Sequence, residues 1–119
     1  MGHIAYQYDK LNDFGTLSTA GDFPNTINMG EATAARMSVD LKLPDRTVTG
    51  GPVTLTVKGS YSEEGAYSAI VSSGSITEEM LNDGYALPMP KTGYQYLKVE
   101  ISGDFNGRVQ ALINSFPGM

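Results

Sequence analysis

The sequence predicts an all-β fold, an antiparallel β-sandwich of about seven or eight short strands with one short helical turn near residues 77–82. Three observations lead there. Apolar and polar residues alternate with period two along most of the chain from Met37 onward. Fourteen glycines and six prolines punctuate those runs as turns do. Only one short stretch carries helix start and stop signals, and no internal repeat interrupts the pattern.

The elements follow in order. Ile4, Tyr6 and Tyr8 alternate, with Leu11 and Phe14 after them. Residues 1–14 are therefore either the first strand of the sandwich or an arm that docks on a neighbour. Asn25 to Met29 reads as a short strand entering a loop at Gly30. Met37, Val39, Leu41 and Leu43 share one face of a strand, with Ser38, Asp40 and Lys42 on the other. Pro44-Asp45 stops it, and Thr49-Gly50-Gly51-Pro52 is a turn cluster. Val53, Leu55 and Val57 repeat the alternation. A polar loop from Ser60 to Gly65 leads to a strand over Ala66 to Ser72.

Next comes the helical turn. Thr77 or Ser75 can cap it, Glu78 and Glu79 suit its positive N-terminal end, and Asp83-Gly84 closes it. Tyr85 to Met89 is a short strand fenced by Pro88 and Pro90, which places it at an edge or strand end because proline withholds a ladder donor. Leu97, Val99 and Ile101 face inward on the next strand, and Val109, Ala111 and Ile113 on the last. Asn106-Gly107 between these two runs predicts a hairpin. Phe116-Pro117-Gly118-Met119 is an apolar tail, expected to tuck under the sandwich or onto a partner.

Composition narrows the function. A chain of 119 residues is expected to be one domain with a single core. It holds no cysteine, which removes disulfides and thiolate metal sites. Eight basic residues against thirteen acidic ones give a net charge of −5. Lys42, Arg46, Lys58, Lys91, Lys98 and Arg108 are scattered singly, so no phosphate-neutralising surface and no nucleic-acid partner is expected. No run approaches the ~18 apolar residues of a membrane span, and the N-terminus lacks the basic and apolar regions of a signal peptide. Tyr6 stands where a myristoylation motif wants Ser or Thr. The chain reads as made in a cytoplasm and kept there, or delivered from it into an assembly.

The catalytic inventory is thin. His3, the sole histidine, lies at the terminus, far from the rigid setting a Ser-His-Asp arrangement needs. Glu63-Glu64 and Glu78-Glu79 are adjacent pairs whose side chains point apart, as expected of a solvated loop and a charged helix start. Asp104-Phe105-Asn106-Gly107 lacks the later bidentate Glu of a calcium loop. Gly50-Gly51 lacks the Lys-Ser/Thr of a phosphate cradle, and Ser73-Gly74-Ser75 lacks the spacing of a nucleophile elbow. Neither an enzymatic role nor a metal or cofactor is expected. The candidate functional residues are instead adhesive: Ile4, Tyr6, Tyr8, Leu11 and Phe14 near the N-terminus, Tyr85 and Tyr94 with Tyr96 about the proline-rich segment, and Phe116 at the end. Tyrosine suits such a role because it offers large contact area at small entropic cost.

Over residues 25–114 the order of features resembles the jelly-roll capsid cement, or decoration, proteins of tailed phages, of the Bordetella-phage cement type. The matching features are the strand Met37 to Leu43, the Thr49-Gly50-Gly51 turn, the strand Val53 to Val57 and Ser73-Gly74-Ser75-Ile76. They continue with Gly84-Tyr85-Ala86-Leu87-Pro88-Met89-Pro90, Tyr94-Gln95-Tyr96-Leu97-Lys98-Val99, and Gly103-Asp104-Phe105 before a final aliphatic strand. Asn25 to Gly30 is similar to the family's short N-terminal strand. The first 24 residues and Ser115 to Met119 depart from the pattern. The resemblance implies a jelly roll on the outer surface of a virion, a homotrimer at threefold or quasi-threefold positions that cross-links major capsid subunits. The rival expectation is a carbohydrate- or receptor-binding jelly roll of a tail or adhesin, weakened by the lack of tryptophan.

Overall fold

The structure, a computed structural model, describes residues 13–29, 36–90 and 92–116. It is an all-β antiparallel sandwich. In chain order the elements are β1 (Asp13–Leu17), β2 (Gly21–Asp22), β3 (Ile27–Asn28), β4 (Arg36–Lys42), β5 (Thr49–Gly50), β6 (Thr54–Ser60) and β7 (Ser68–Ser72). The helix α1 (Glu78–Asp83) follows, then β8 (Tyr85–Met89), β9 (Tyr96–Ser102), β10 (Phe105–Asn106) and β11 (Val109–Phe116). Four of these strands are two-residue pieces, which leaves seven longer ones.

One sheet runs β1-β11-β4-β8. The other runs β2-β9-β6-β7, with β3 also on β9. A small β5–β10 ladder lies outside both. Every pairing is antiparallel, and consecutive strands repeatedly fall in opposite sheets. The period-two pattern explains which side chains meet between the sheets. Met37, Val39 and Leu41 of β4 and Val109, Ala111 and Ile113 of β11 are buried on one side. Leu55 and Val57 of β6 and Leu97, Val99 and Ile101 of β9 oppose them, all within one core cluster. Each of these side chains except the small Ala111 contributes about 1.5–3 kcal/mol by leaving water.

The register defines two ends. Ser60 lies opposite Tyr96, so the loops after β6 and before β9 share one end. Thr54 lies opposite Ser102, so α1 and the loops around β5 and β10 share the other. At that second end Thr77 caps α1, its Oγ1 accepting from the Met80 N–H at 3.2 Å. Leu81 is buried beneath the helix. The Asn82 amide clamps α1 to Val48, donating to its carbonyl at 2.9 Å and accepting from its N–H at 3.1 Å. The Gly50 N–H donates to the Glu78 carboxylate at 2.8 Å. The acidic first turn thus serves to fasten the helix to the β5 loop.

Two expectations are corrected. Asn106-Gly107 does not close a hairpin: β9 and β11 lie in different sheets, and β10 pairs instead with β5. The segment crosses the end of the sandwich, and Phe105 is buried there at 8% exposure, joining the core. Alternation reports which face of a strand is inward, and it is identical for two strands of one sheet or of two. Phe14, expected among the adhesive residues, is fully buried in β1. It answers the arm-or-strand alternative for its own position, because β1 pairs with β11 from Asp13 onward. β8, by contrast, sits at a sheet edge as its prolines predict.

Candidate interaction surface

The end carrying the β6–β7 loop presents exposed Tyr61 beside the half-buried Tyr67, Tyr94 and Tyr96. Gly59 lies on the inward side of β6, and a Cβ there would stand 2.6 Å from the Tyr94 ring. The missing side chain is what lets Tyr94 lie flat against the strand. Tyr61, 74% exposed, rests on Tyr94 with ring centroids 4.7 Å apart and planes tilted by 44°. Ile70 of β7, half-buried, comes to the same place from the other side of Gly59.

Hydrogen bonds shape the loop that presents Tyr61. The Ser60 hydroxyl donates to the Ser62 carbonyl at 2.7 Å and accepts from the Ser62 N–H at 3.1 Å. The Gly65 N–H donates to the Ser62 carbonyl at 3.1 Å, and the Tyr67 hydroxyl to the Glu63 carbonyl at 2.8 Å. Tyr61 and the carboxylates of Glu63 and Glu64 therefore project from an ordered turn. Such preorganisation lowers the entropy lost on binding.

Beside it runs the outer face of the second sheet. Lys98 lies over the Tyr67 ring, its Nζ 4.6 Å from the centroid. Lys58 and Lys98 face each other across β6 and β9, a like-charge pair. The repulsion is offset because Lys58 reaches Asp22 at 3.0 Å and Glu100 at 3.5 Å. Burial pulls the Lys58 pKa down, but the hydrogen bond and charge of Asp22, with those of Glu100, outweigh it and the net shift is upward. Partial burial pushes the Tyr67 hydroxyl up; the Thr26 hydrogen bond opposes this, while Glu63 and Tyr96 add to it.

The sequence-selected residues are distributed unevenly over this surface. Tyr94 belongs to it, and Tyr96 borders it at the start of β9. Tyr85 does not: it is half-buried at the start of β8 and lines an open cleft of about 500 Å³ with Leu81 and Arg46 at the α1 end. Proximity in sequence had suggested one cluster, but β8 carries Tyr85 to the opposite end from Tyr94. Phe116 ends β11, its backbone paired with Arg36. Ile4, Tyr6, Tyr8 and Leu11 lie outside the described residues. Tyr61, Tyr67 and Ile70 were not selected from sequence. The available signal was Gly59 inside an alternating strand, which marks a close approach, followed by an aromatic residue in a polar loop.

Among the described residues no three His, Cys, Asp or Glu side chains gather as a metal site, and no helix is long and apolar enough to cross a membrane. No family model matches the chain, and no curated protein is matched by its sequence.

Proposed function

We propose that this chain is a capsid decoration protein of jelly-roll type, which trimerises on an icosahedral phage head and cross-links neighbouring major capsid subunits. The observation that carries the reading is the strand order. Leaving aside the two short ladder pieces β5 and β10, and treating β2 and β3 as one broken strand, the chain supplies eight strands. They alternate between sheets so that the first, eighth, third and sixth form one and the second, seventh, fourth and fifth the other. That order is the one a double Greek key of jelly-roll type would have, and it supports the reading. It joins the sequence resemblance over residues 25–114, whose most distinctive stretch, Gly84 to Val99, spans β8 and the start of β9.

The aromatic end supports a role in docking. A cement protein works by many modest contacts that sum through effective concentration, and needs a rigid body with adhesive ends. Co-sedimentation of the purified chain with expanded phage heads, beside its mass in solution, tests the reading. Saturable binding and a mass of three chains support it. A strict monomer that leaves the heads bare overturns it.

Exposed Tyr61 favours one alternative, a carbohydrate- or receptor-binding jelly roll, because a free tyrosine ring can serve as a platform for a sugar. Binding on a glycan array, with no association with heads, would select that alternative.

A further inference from the structure

The edges of the two sheets are guarded unequally. Of the edge strands, β8 carries Pro88, exposed within the strand. β1 is bulged between Asp13 and Gly15, with the Asp13 carboxylate bonded to the Gly15 N–H at 2.7 Å. β2 and β3 are two residues each. Proline, bulges, charge and shortness are the devices that keep a sheet edge from pairing with another chain. β7 (Ser-Ala-Ile-Val-Ser) has five residues and carries neither charge nor proline. Like β1 it carries a bulge, the extra residue Ile70 opposite the Val57–Lys58 step, and that is its one guard. The Ser73 N–H donates to the Leu55 carbonyl at 2.9 Å, so alternation turns the Ser72 amide and carbonyl toward the open side. Ile70 and Val71 pack on the core yet stay half-exposed, and no further strand pairs beyond β7 among the described residues.

We propose that residues 4–8 of a second copy of this chain add to β7 as a further strand. Ile4-Ala5-Tyr6-Gln7-Tyr8 matches β7 in length, and its period-two pattern would set Ile4, Tyr6 and Tyr8 over the exposed flank of Ile70 and Val71. The donor is another copy because the chain's own segment is poorly placed. The Asn25 side chain bonds the Asp13 carbonyl at 3.1 Å, so β1 stands beside β3, and the position beyond β7 lies four strand intervals away, about 19 Å. The five steps from Tyr8 to Asp13 reach at most about 18 Å when fully extended. The 61–67 loop lies across that path, with Glu63 lining one groove together with Asp13 and Thr26. Donation from one copy to the next is a head-to-tail contact, and a rotation of one third of a turn per copy closes it into a ring of three. The inference rests on the proposed trimer and names the contact that builds it.

The chain has no cysteine, so engineered thiols report the contact cleanly. Ala69 and Ser72 lie on the outward side of β7, and Ala5 and Gln7 on the corresponding side of the donor segment. Single variants Ala5→Cys or Gln7→Cys are mixed with Ala69→Cys or Ser72→Cys, free in solution and on expanded heads, and oxidised. A disulfide between two different single variants in at least one pairing, lost when Ser72→Pro is added to the Ala69→Cys variant or Ala69→Pro to the Ser72→Cys variant, supports the proposal. Circular dichroism and thermal melting check that the proline variant is folded; should it be unfolded, lysine at the same position (Ser72→Lys or Ala69→Lys) replaces proline. Absence of every cross-link while the chain still runs as a trimer overturns the proposal and leaves the decoration reading standing. A link found only within single chains of a doubly substituted variant overturns it in favour of the chain's own segment. Cross-linked rings that never bind heads retain the contact and retire the decoration reading.

Discussion

At the residue scale, two glycines report how tightly each end of the sandwich is built. A Cβ on Gly103 would stand 2.5 Å from the Pro52 carbonyl oxygen, and its φ of +111° lies where side chains are strained. Gly103→Ala is expected to cost more than about 2 kcal/mol in urea unfolding, strain and overpacking together. At Gly59 the obstacles are the Tyr94 ring and the Ile70 Cδ1, side-chain atoms that can swing away. Gly59→Ala therefore costs less, about 1–2 kcal/mol, but releases Tyr61 from Tyr94 and weakens whatever docks on that end. Comparing the two denaturation midpoints, beside head binding, checks both statements.

The charges on the second sheet give a pH signature. Lys58 holds its proton more tightly folded than unfolded. Its stabilising effect is thus complete below the ordinary lysine value of 10.5 and fades as pH rises through the higher folded-state value. Tyr67, also raised, acts in the same direction. Melting temperature should fall through this alkaline range, and Lys58→Met should flatten the fall while costing less than about 1 kcal/mol at neutral pH. An unchanged alkaline slope in Lys58→Met would mean that the Asp22 and Glu100 contacts do not matter to stability.

At the scale of elements, much was legible from alternation because each inward residue of β4, β6, β9 and β11 answers to a single requirement, burial on one face. Thr77 and the turn after it were legible for a local reason too, since capping involves only neighbours. Thr77→Ala should cost about 1 kcal/mol in chemical unfolding, and Thr77→Ser should restore most of it. Partner choice was not legible. Asn106-Gly107 read as a hairpin because the sequence cannot say that Phe105 is drawn under the end and that β11 pairs with β4. Phe14 had the same ambiguity: apolarity signals burial without naming what buries it. Tyr61 was overlooked because its loop is polar, although Gly59 beside it marked the close approach of Tyr94.

The boundary at β1 yields a sharper division than a segment ending at residue 14. Phe14→Ala should lower stability by about 3–5 kcal/mol, as for a large core side chain. Removing residues 1–12 leaves β1 and its core contacts in place, so the melting temperature should change little while self-association is lost. Equal thermal losses in the two variants would contradict the separation of core from arm.

For the whole molecule, the parts agree on a sandwich whose two ends differ, with exposed Tyr61 at one of them. The helix end is fastened by Asn82 and Glu78. The opposite end presents Tyr61, and the β7 edge lies open at its side. An arrangement of this kind suits a body held on a shell by several neighbours at once, each contact modest and the sum firm. The most direct measurement is a titration of expanded phage heads with the purified chain, counting copies bound per major capsid subunit after sedimentation. The account predicts saturation at a fixed ratio set by the threefold positions, with removal of residues 1–12 weakening it. Heads that remain bare at every concentration, or that take up the chain without saturating, would contradict it.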